Sequence, residues 1–433
     1  MIPVLQERFK KSKIIILHIE PRQEQTVQYN EDETPALYGT EPGIVQRFLE
    51  KNVPQISIEK IRIIEWRSSL LYYREAYVKL LSQTADFLKR IDAERRTEAV
   101  FGRRWVKNFF RNIAIINKIL LYRQIEIPVI ITGSGPSLEK DLPVIKKSQD
   151  FCLVIAASSS VMALSNAGIK ADIVVSTDGG PWALRHLYPE IRSCSLSGNA
   201  ENIGALSVNL CACVPSQCSD YPWLVINDGS FWQSVILHEL NVPSILITQK
   251  GTVTATAVEL AMVLSSGSIY LSGMDFSVHD IRSHTRPYAF DFLFTEKSNR
   301  FLPVYCQAFT RSSKIRHGGS MDIYASWFKN QLTLWQKNIF SIGRSDVFNE
   351  GNPFEQSEKH IINKSDNFKA FLLKDAYDFR QRGANALFSA MKNSSYSREL
   401  QRELGSLLFP GITSASRKDI EKAICEIAEG IFR

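Results

Sequence analysis

Nowhere does the chain carry the roughly 20 consecutive apolar residues that a membrane-spanning helix needs, so no span is expected. Nor does the N-terminus read as a secretion signal: MIPVLQERFKKSKIIILHIE sets its charges ahead of a very short apolar run and has no small-residue cleavage site, so a cytoplasmic location is expected. Cysteine is sparse. Seven irregularly spaced thiols exclude a regular disulfide framework and suit a reducing compartment. Cys211, Cys213 and Cys218 have no second Cys or His pair nearby, so they do not read as a zinc site. There is also no Asp-x-Asp motif of the kind by which many sugar transferases hold a divalent cation, and no metal ligand is assigned. Internal repeats and low-complexity tracts are absent. The net charge of +7 is spread along the chain in short basic clusters such as Arg95-Arg96, Arg103-Arg104 and Lys146-Lys147, so the footprint of a nucleic-acid-binding protein is missing.

What is present is a globular composition, 44% hydrophobic and 22% charged, in 433 residues, more than one ordinary core supports. Residues 1–60 combine a short strand-like run, Lys13 to His18, with a polar stretch and a turn signal at 38–43, and read as a small N-terminal domain. Residues 61–124 have helical spacing and lead into residues 125–330, where short apolar runs alternate with helical stretches: Val129–Thr132, Cys152–Ala156, Ile173–Ser176, Trp223–Ile226, Ser244–Thr248 and Ile269–Ser272. Buried strands separated by helices predict an α/β, Rossmann-like sheet covered on both faces. Residues 331–433 read as a helical C-terminal domain broken at Pro353 and Pro410.

Three segments could carry chemistry. Val129-Ile-Ile-Thr-Gly-Ser-Gly-Pro-Ser-Leu138 sets a buried strand before a glycine turn and a helix start, an arrangement that can offer backbone N–H groups to a phosphate or can be a tight turn for steric reasons alone. Gln249-Lys-Gly-Thr-Val-Thr-Ala-Thr-Ala257 opens a small-residue helix, as a ligand grip or as a capped core helix, and Gly273-Met-Asp-Phe276 follows the next strand. Arg316-His-Gly-Gly-Ser-Met-Asp-Ile323 places His317 in a glycine-flanked loop, where an imidazole can act as a base near neutrality or can be structural. Asp178 and Asp275 end predicted strands, where α/β sheets place their ligands; either could meet a ribose or sugar hydroxyl, or order a turn.

Taken together and in order, Ile130–Leu138, Ile269–Phe276 with Tyr288-Ala-Phe-Asp291, and His317-Gly-Gly-Ser-Met-Asp-Ile323 resemble the motifs of the bacterial sialyltransferases of glycosyltransferase family 42. The wider frame, with Gly102-Arg-Arg-Trp-Val-Lys-Asn-Phe-Phe-Arg-Asn112 and Ala171-Asp-Ile-Val-Val-Ser-Thr-Asp178, resembles the motility accessory factor (Maf) proteins, flagellin glycosyltransferases with a sialyltransferase-like central domain. The resemblance implies a transferase that moves a nonulosonic, sialic-acid-like sugar (pseudaminic or legionaminic type) from a CMP donor to Ser or Thr of flagellin or another protein, with inversion and without metal or a further cofactor. It implies that Gly133, Ser134, Gly135, Pro136 and Ser137 bind the cytidine monophosphate part, with serine at 134 where the pattern has asparagine, and that Thr252, Val253 and Thr254 form a donor-binding turn. Tyr288 matches one of two tyrosines that steady the departing phosphate; Ser277 holds the other position. The lost hydroxyl could be replaced by Tyr270, Arg282, Arg286 or another group. His317 matches the general base. Two other classes compete: a metal-dependent pterin pyrophosphokinase, which shares the Gly-Pro-Ser type of domain, and a non-catalytic flagellin-binding module.

Overall fold

The computed structural model describes residues 2–9, 12–19, 34–41, 43–53, 61–188, 203–248, 251–317, 320–335, 338–345, 347–353, 368–372, 379–410, 412 and 415–430. The chain forms two compact units, Met1–Gly102 with Phe409–Ala415, and Arg103–Leu408 with Ser416–Arg433. The sequence reading set its boundaries elsewhere, at 60, 124 and 330.

In the first unit, β1 (Ile16–His18) pairs in parallel with β2 (Ala36–Tyr38). Gly39 and Gly43 in the turn that follows have φ of +96° and +80°, which glycine adopts without strain. The turn delivers the helix Ile44–Asn52, whose Val45 and Leu49 pack with Leu37 against Leu80, Phe87 and Ile91. Those last three share one face of the long helix Arg74–Ile115.

The second unit is a mixed α/β fold around a large, mostly parallel sheet. Its strands are β3 (Lys118–Tyr122), β4 (Val129–Thr132), β5 (Leu153–Ala157), β6 (Ala171–Ser176), β7 (Ile203–Asn209), β8 (Trp223–Asn227), β9 (Ile245–Leu246), β10 (Ile269–Ser272), β11 (Ile339–Ser341), β12 (Asn349–Glu350) and β13 (Phe368–Leu372). Among the described residues the order is β12-β11-β10-β4-β5-β6-β7-β8-β3-β13, with β9 beside β8, and the pairing of β13 with β3 alone is antiparallel. Every residue of β4, β5 and β10 is buried, which is why these strands read as continuous apolar runs. The small-residue helix Val253–Leu264 packs Ala257, Val258, Leu260 and Ala261 into the same core as Val129, Ile131, Ile155, Ile173 and Leu271.

From β4 the chain builds toward β8 on one side, then crosses back to lay β10 on the other. The crevice at the carboxyl ends of β4 and β10 is therefore the point where strand order reverses, the place where open α/β sheets take ligands. The conspicuous run at 102–112 serves an adjacent loop system. Asn108 donates to the carbonyls of Gly179 and Cys211 (3.1 and 2.9 Å), and Asn112 to those of Leu210 and Ala212 (both 2.8 Å), satisfying buried backbone after β6 and β7.

The helices Phe379–Lys392, Ser394–Leu408 and Arg417–Gly430 pack against one another in the same unit as the sheet. The Glu403 carboxylate, its pKa raised by burial, accepts from the Phe231 and Trp232 N–H groups (3.1 and 3.0 Å) at the start of the helix Phe231–Glu239. Among the described residues no helix is long and apolar enough to cross a membrane.

Candidate active site

Two glycine turns interlock at the ends of β4 and β10. The Gly133 N–H donates to the Ser272 carbonyl and the Gly135 N–H to the Gly273 carbonyl, both at 2.8 Å. A Cβ on Gly133 would lie 2.5 Å from the Gly273 carbonyl oxygen, and one on Gly135 would lie 2.7 Å from the same atom, so neither position tolerates a side chain. Gly273 itself has a φ of +68°. The Ser137 N–H and Oγ both donate to Asp275 Oδ2, at 3.2 and 3.0 Å. The N–H groups of Leu138, Glu139 and Lys140 turn back onto the carbonyls of Gly135, Pro136 and Ser137 (3.1, 3.4 and 2.9 Å). A turn expected to offer free N–H donors has thus spent most of them on the fold. Ser134 carries the one N–H of residues 133–140, outside the helix ladder, that has no partner among the described residues.

Beneath this junction lies a buried carboxyl. Asp141, in the first turn of the helix Leu138–Ser148, accepts from Ser272 Oγ at 2.6 Å. Burial pushes its pKa up to about 6, aided by the nearby charge of Asp275 and opposed by the Ser272 hydrogen bond.

The segment 281–291 is strapped onto the same turn. The Thr285 N–H donates to the Ser134 carbonyl at 2.8 Å, the Arg286 N–H to Glu139 Oε1 at 2.9 Å, and Arg282 Nη1 to both Glu139 oxygens at 3.1 and 2.9 Å. Glu139 stands at the amino end of its helix, where a carboxylate is favoured by the dipole. Tyr288 follows in a buried aromatic nest. The His284 ring stacks on it at 4.2 Å, His186 is 5.5 Å away, and His186 meets Phe290 edge-on at 5.0 Å. Burial raises the Tyr288 pKa to about 12 against the opposing effect of the Arg311 cation and its hydrogen bond, so the phenol stays protonated as a donor. Burial also lowers His284 to about 3, helped by Arg311 and His186, and lowers His186 to about 4 despite the carboxylate of Asp178. Both imidazoles are neutral at physiological pH, and His186 Nδ1 is buried without a partner among the described residues.

The other candidates are distributed as follows. Thr252 caps the helix Val253–Leu264, its Oγ1 accepting the Ala255 N–H at 3.1 Å, with Gly251 before it at φ +76°. Val253 and Thr254 form the first helical turn, and Gln249 and Lys250 lie outside the described residues. Asp178 is exposed after β6, and its Oδ1 accepts the Gly180 N–H at 2.8 Å. Ser277 is exposed just past Asp275. His317 ends the helix Val304–His317, so its backbone is helical where a loop was expected; its side chain, with Gly318 and Gly319, lies outside the described residues. The described cysteines are free thiols, and burial raises Cys211, Cys213 and Cys218. No group of three metal-ligating side chains occurs among the described residues. The residues that sequence reasoning passed over are Glu139, His186 and Arg311. Each sits on a helical segment, where a single polar residue carries no local signature.

A family model described as "6-hydroxymethylpterin diphosphokinase MptE-like" matches residues 103–280. An uncharacterized protein of Treponema pallidum (strain Nichols) is 26% identical over 352 residues, covering 77% of this chain and 73% of that protein. A second protein of the same organism is 29% identical over 110 residues, covering 23% of this chain and 49% of the other. Among solved structures, a Maf glycosyltransferase from Magnetospirillum magneticum AMB-1 aligns at 13% identity with a TM-score of 0.47, covering 93% of this chain; the chain spans 65% of that protein's length. The sialyltransferase resemblance rests on the sequence motifs.

Proposed function

We propose that the chain is a glycosyltransferase that moves a nonulosonic sugar from a CMP donor to a Ser or Thr hydroxyl of flagellin or another protein acceptor in the cytoplasm. The observation that supports this reading is the union of motif segments far apart in sequence: 130–138 and 269–276 interlock at the switch point, and the loop holding Tyr288 is bonded to both Ser134 and Glu139. In the mechanism, His317 takes the proton of the acceptor hydroxyl as its oxygen attacks the anomeric carbon, and the configuration inverts. Tyr288, a phenol kept protonated, donates to the leaving phosphate as charge builds there. The Ser134 N–H is the backbone donor available to the same charge. Thr252, Val253 and Thr254 would contact the donor from the neighbouring helix start.

The match over 103–280 favours a second reading, a pterin-type diphosphokinase, in which Asp178 and Asp275 would be the first metal ligands to test. One assay separates the two. Purified protein, CMP-N-acetylneuraminate or CMP-pseudaminate, and flagellin should give acceptor mass increments of one sugar each, and these should persist in excess EDTA. Absence of increments, together with Mg²⁺-dependent diphosphate transfer from ATP to 6-hydroxymethylpterin, would replace the first reading with the second.

A further inference from the structure

Behind Tyr288, between the segment 281–291 and the helix Val304–His317, lies a cavity of about 30 Å³ lined by Arg282, Ser283, Arg286, Tyr288 and Arg311, with Phe294 in its wall. That is room for about two water molecules, or one oxyanion group, and too little for a sugar ring. Its charges are not balanced from within. Arg282 is held by Glu139 at 2.9 Å, and Asp291, the carboxylate in the lining, uses Oδ2 to accept the Tyr288 N–H at 3.0 Å. Arg311 is half-buried, rests 5.7 Å over the Phe294 ring and shares the cavity lining with Tyr288, yet no carboxylate among the described residues lies within 4.0 Å of it. Arg286 has no ion-pair partner among the described residues either. A guanidinium withdrawn from water without a counter-charge is costly, and its planar fork fits the two oxygens of a carboxylate or phosphate. The glycine turn, whose N–H groups are mostly occupied, cannot supply that recognition alone, and it is joined to the cavity through the Thr285 to Ser134 hydrogen bond.

We propose that this cavity is an oxyanion subsite in which Arg311, with Arg286 at its mouth, binds a single phosphate or carboxylate group of the molecule lying over the glycine turn. Identification of that molecule as a CMP-activated sugar acid rests on the proposed function; the subsite does not. Two groups of such a donor fit, its phosphate and its sugar carboxylate.

The test uses the full chain and calorimetry with four probes: inorganic phosphate, CMP, cytidine and N-acetylneuraminic acid. Phosphate should bind the parent protein, Arg311→Gln should weaken it about 10- to 100-fold, the range for losing a charge-assisted pair, and Arg311→Lys should recover part of the loss. An equal loss for CMP with none for cytidine assigns the subsite to the nucleotide phosphate. A loss for phosphate and N-acetylneuraminic acid with none for CMP assigns it to the carboxylate. If the parent binds phosphate in an Arg311-dependent way but not CMP, the subsite stands and the CMP reading fails. Should Arg311→Gln fail to fold, Arg286→Gln, an exposed side chain, carries the same test with a smaller loss. A parent that does not bind phosphate, or folded variants that bind every probe with parental affinity, overturns the subsite.

Discussion

Asp141→Asn should make the protein more stable at pH 8, and by less at pH 5. The carboxyl is 6% exposed, and burial raises its pKa from 3.8 to about 6. Because the folded pKa lies above the unfolded one, the native state holds the proton more tightly. The stabilisation is complete below pH 3.8 and is lost as pH rises through about 6. Above that the native protein carries an ionised carboxylate in a poor solvent, at a cost of about 3 kcal/mol relative to the unfolded chain. Asparagine removes the ionisation, and its Oδ1 can still accept the Ser272 hydroxyl. An imperfectly bonded amide would subtract about 1 kcal/mol, which leaves a net gain of about 2 kcal/mol at pH 8. At pH 5 the native carboxyl is mostly protonated, the penalty falls to about 1.5 kcal/mol, and the net advantage over aspartate shrinks to about 0.5 kcal/mol. Urea unfolding of both proteins at the two pH values measures the difference directly. Lower stability of Asp141→Asn at pH 8, or a gain that does not shrink with acid, would refute the reasoning and mean that the ionised carboxylate is favourably solvated in the fold.

Gly135→Ala should cost about 2–4 kcal/mol of stability and abolish nucleotide binding, because its Cβ would sit 2.7 Å from the Gly273 carbonyl oxygen and push β4 and β10 apart; thermal melts and CMP calorimetry report the two effects separately. His317→Ala should leave CMP affinity nearly unchanged while transfer to flagellin drops by about two to four orders of magnitude, the usual range for a lost general base; parental turnover in an intact-mass assay would move the role to another group. Glu139→Ala removes three hydrogen bonds to Arg282 and the Arg286 N–H. Since the ion pair is partly exposed, global stability should fall by about 1 kcal/mol or less, whereas amide hydrogen exchange across 281–291 should quicken markedly. Chelation with EDTA should change the transfer rate little, and complete loss restored by Mg²⁺ would count against the sialyltransferase-like chemistry.

How far the sequence carried the fold can be judged strand by strand. β4 and β10 were legible to the residue because each is buried on both faces and so reads as an unbroken apolar run. β3 was absorbed into a helical reading, since Lys118-Ile-Leu-Leu-Tyr122 follows 42 helical residues with the same apolar content. β11, β12 and β13 were missed because strands of two to five residues at or next to a sheet edge carry too little pattern to stand out within a region of helical spacing. The site shows the same division between what local pattern reveals and what pairing creates. Gly133 and Gly135 announce a special turn, but the reason lies in Gly273, brought alongside by the pairing of β10 with β4. The motif thus marked a position where two backbones must touch, and it was the requirement for contact, more than any free N–H group, that fixed the glycines. Arg311 shows the converse. On a helix an arginine has no local signature, and its meaning comes from Tyr288 and Phe294, to which only the fold brings it. Backbone constraints leave fixed residue types at fixed spacing, whereas charge recognition needs only a cation that reaches the same point in space from any element. In this chain the turn could therefore be found by reading along the sequence, while Arg311 could not.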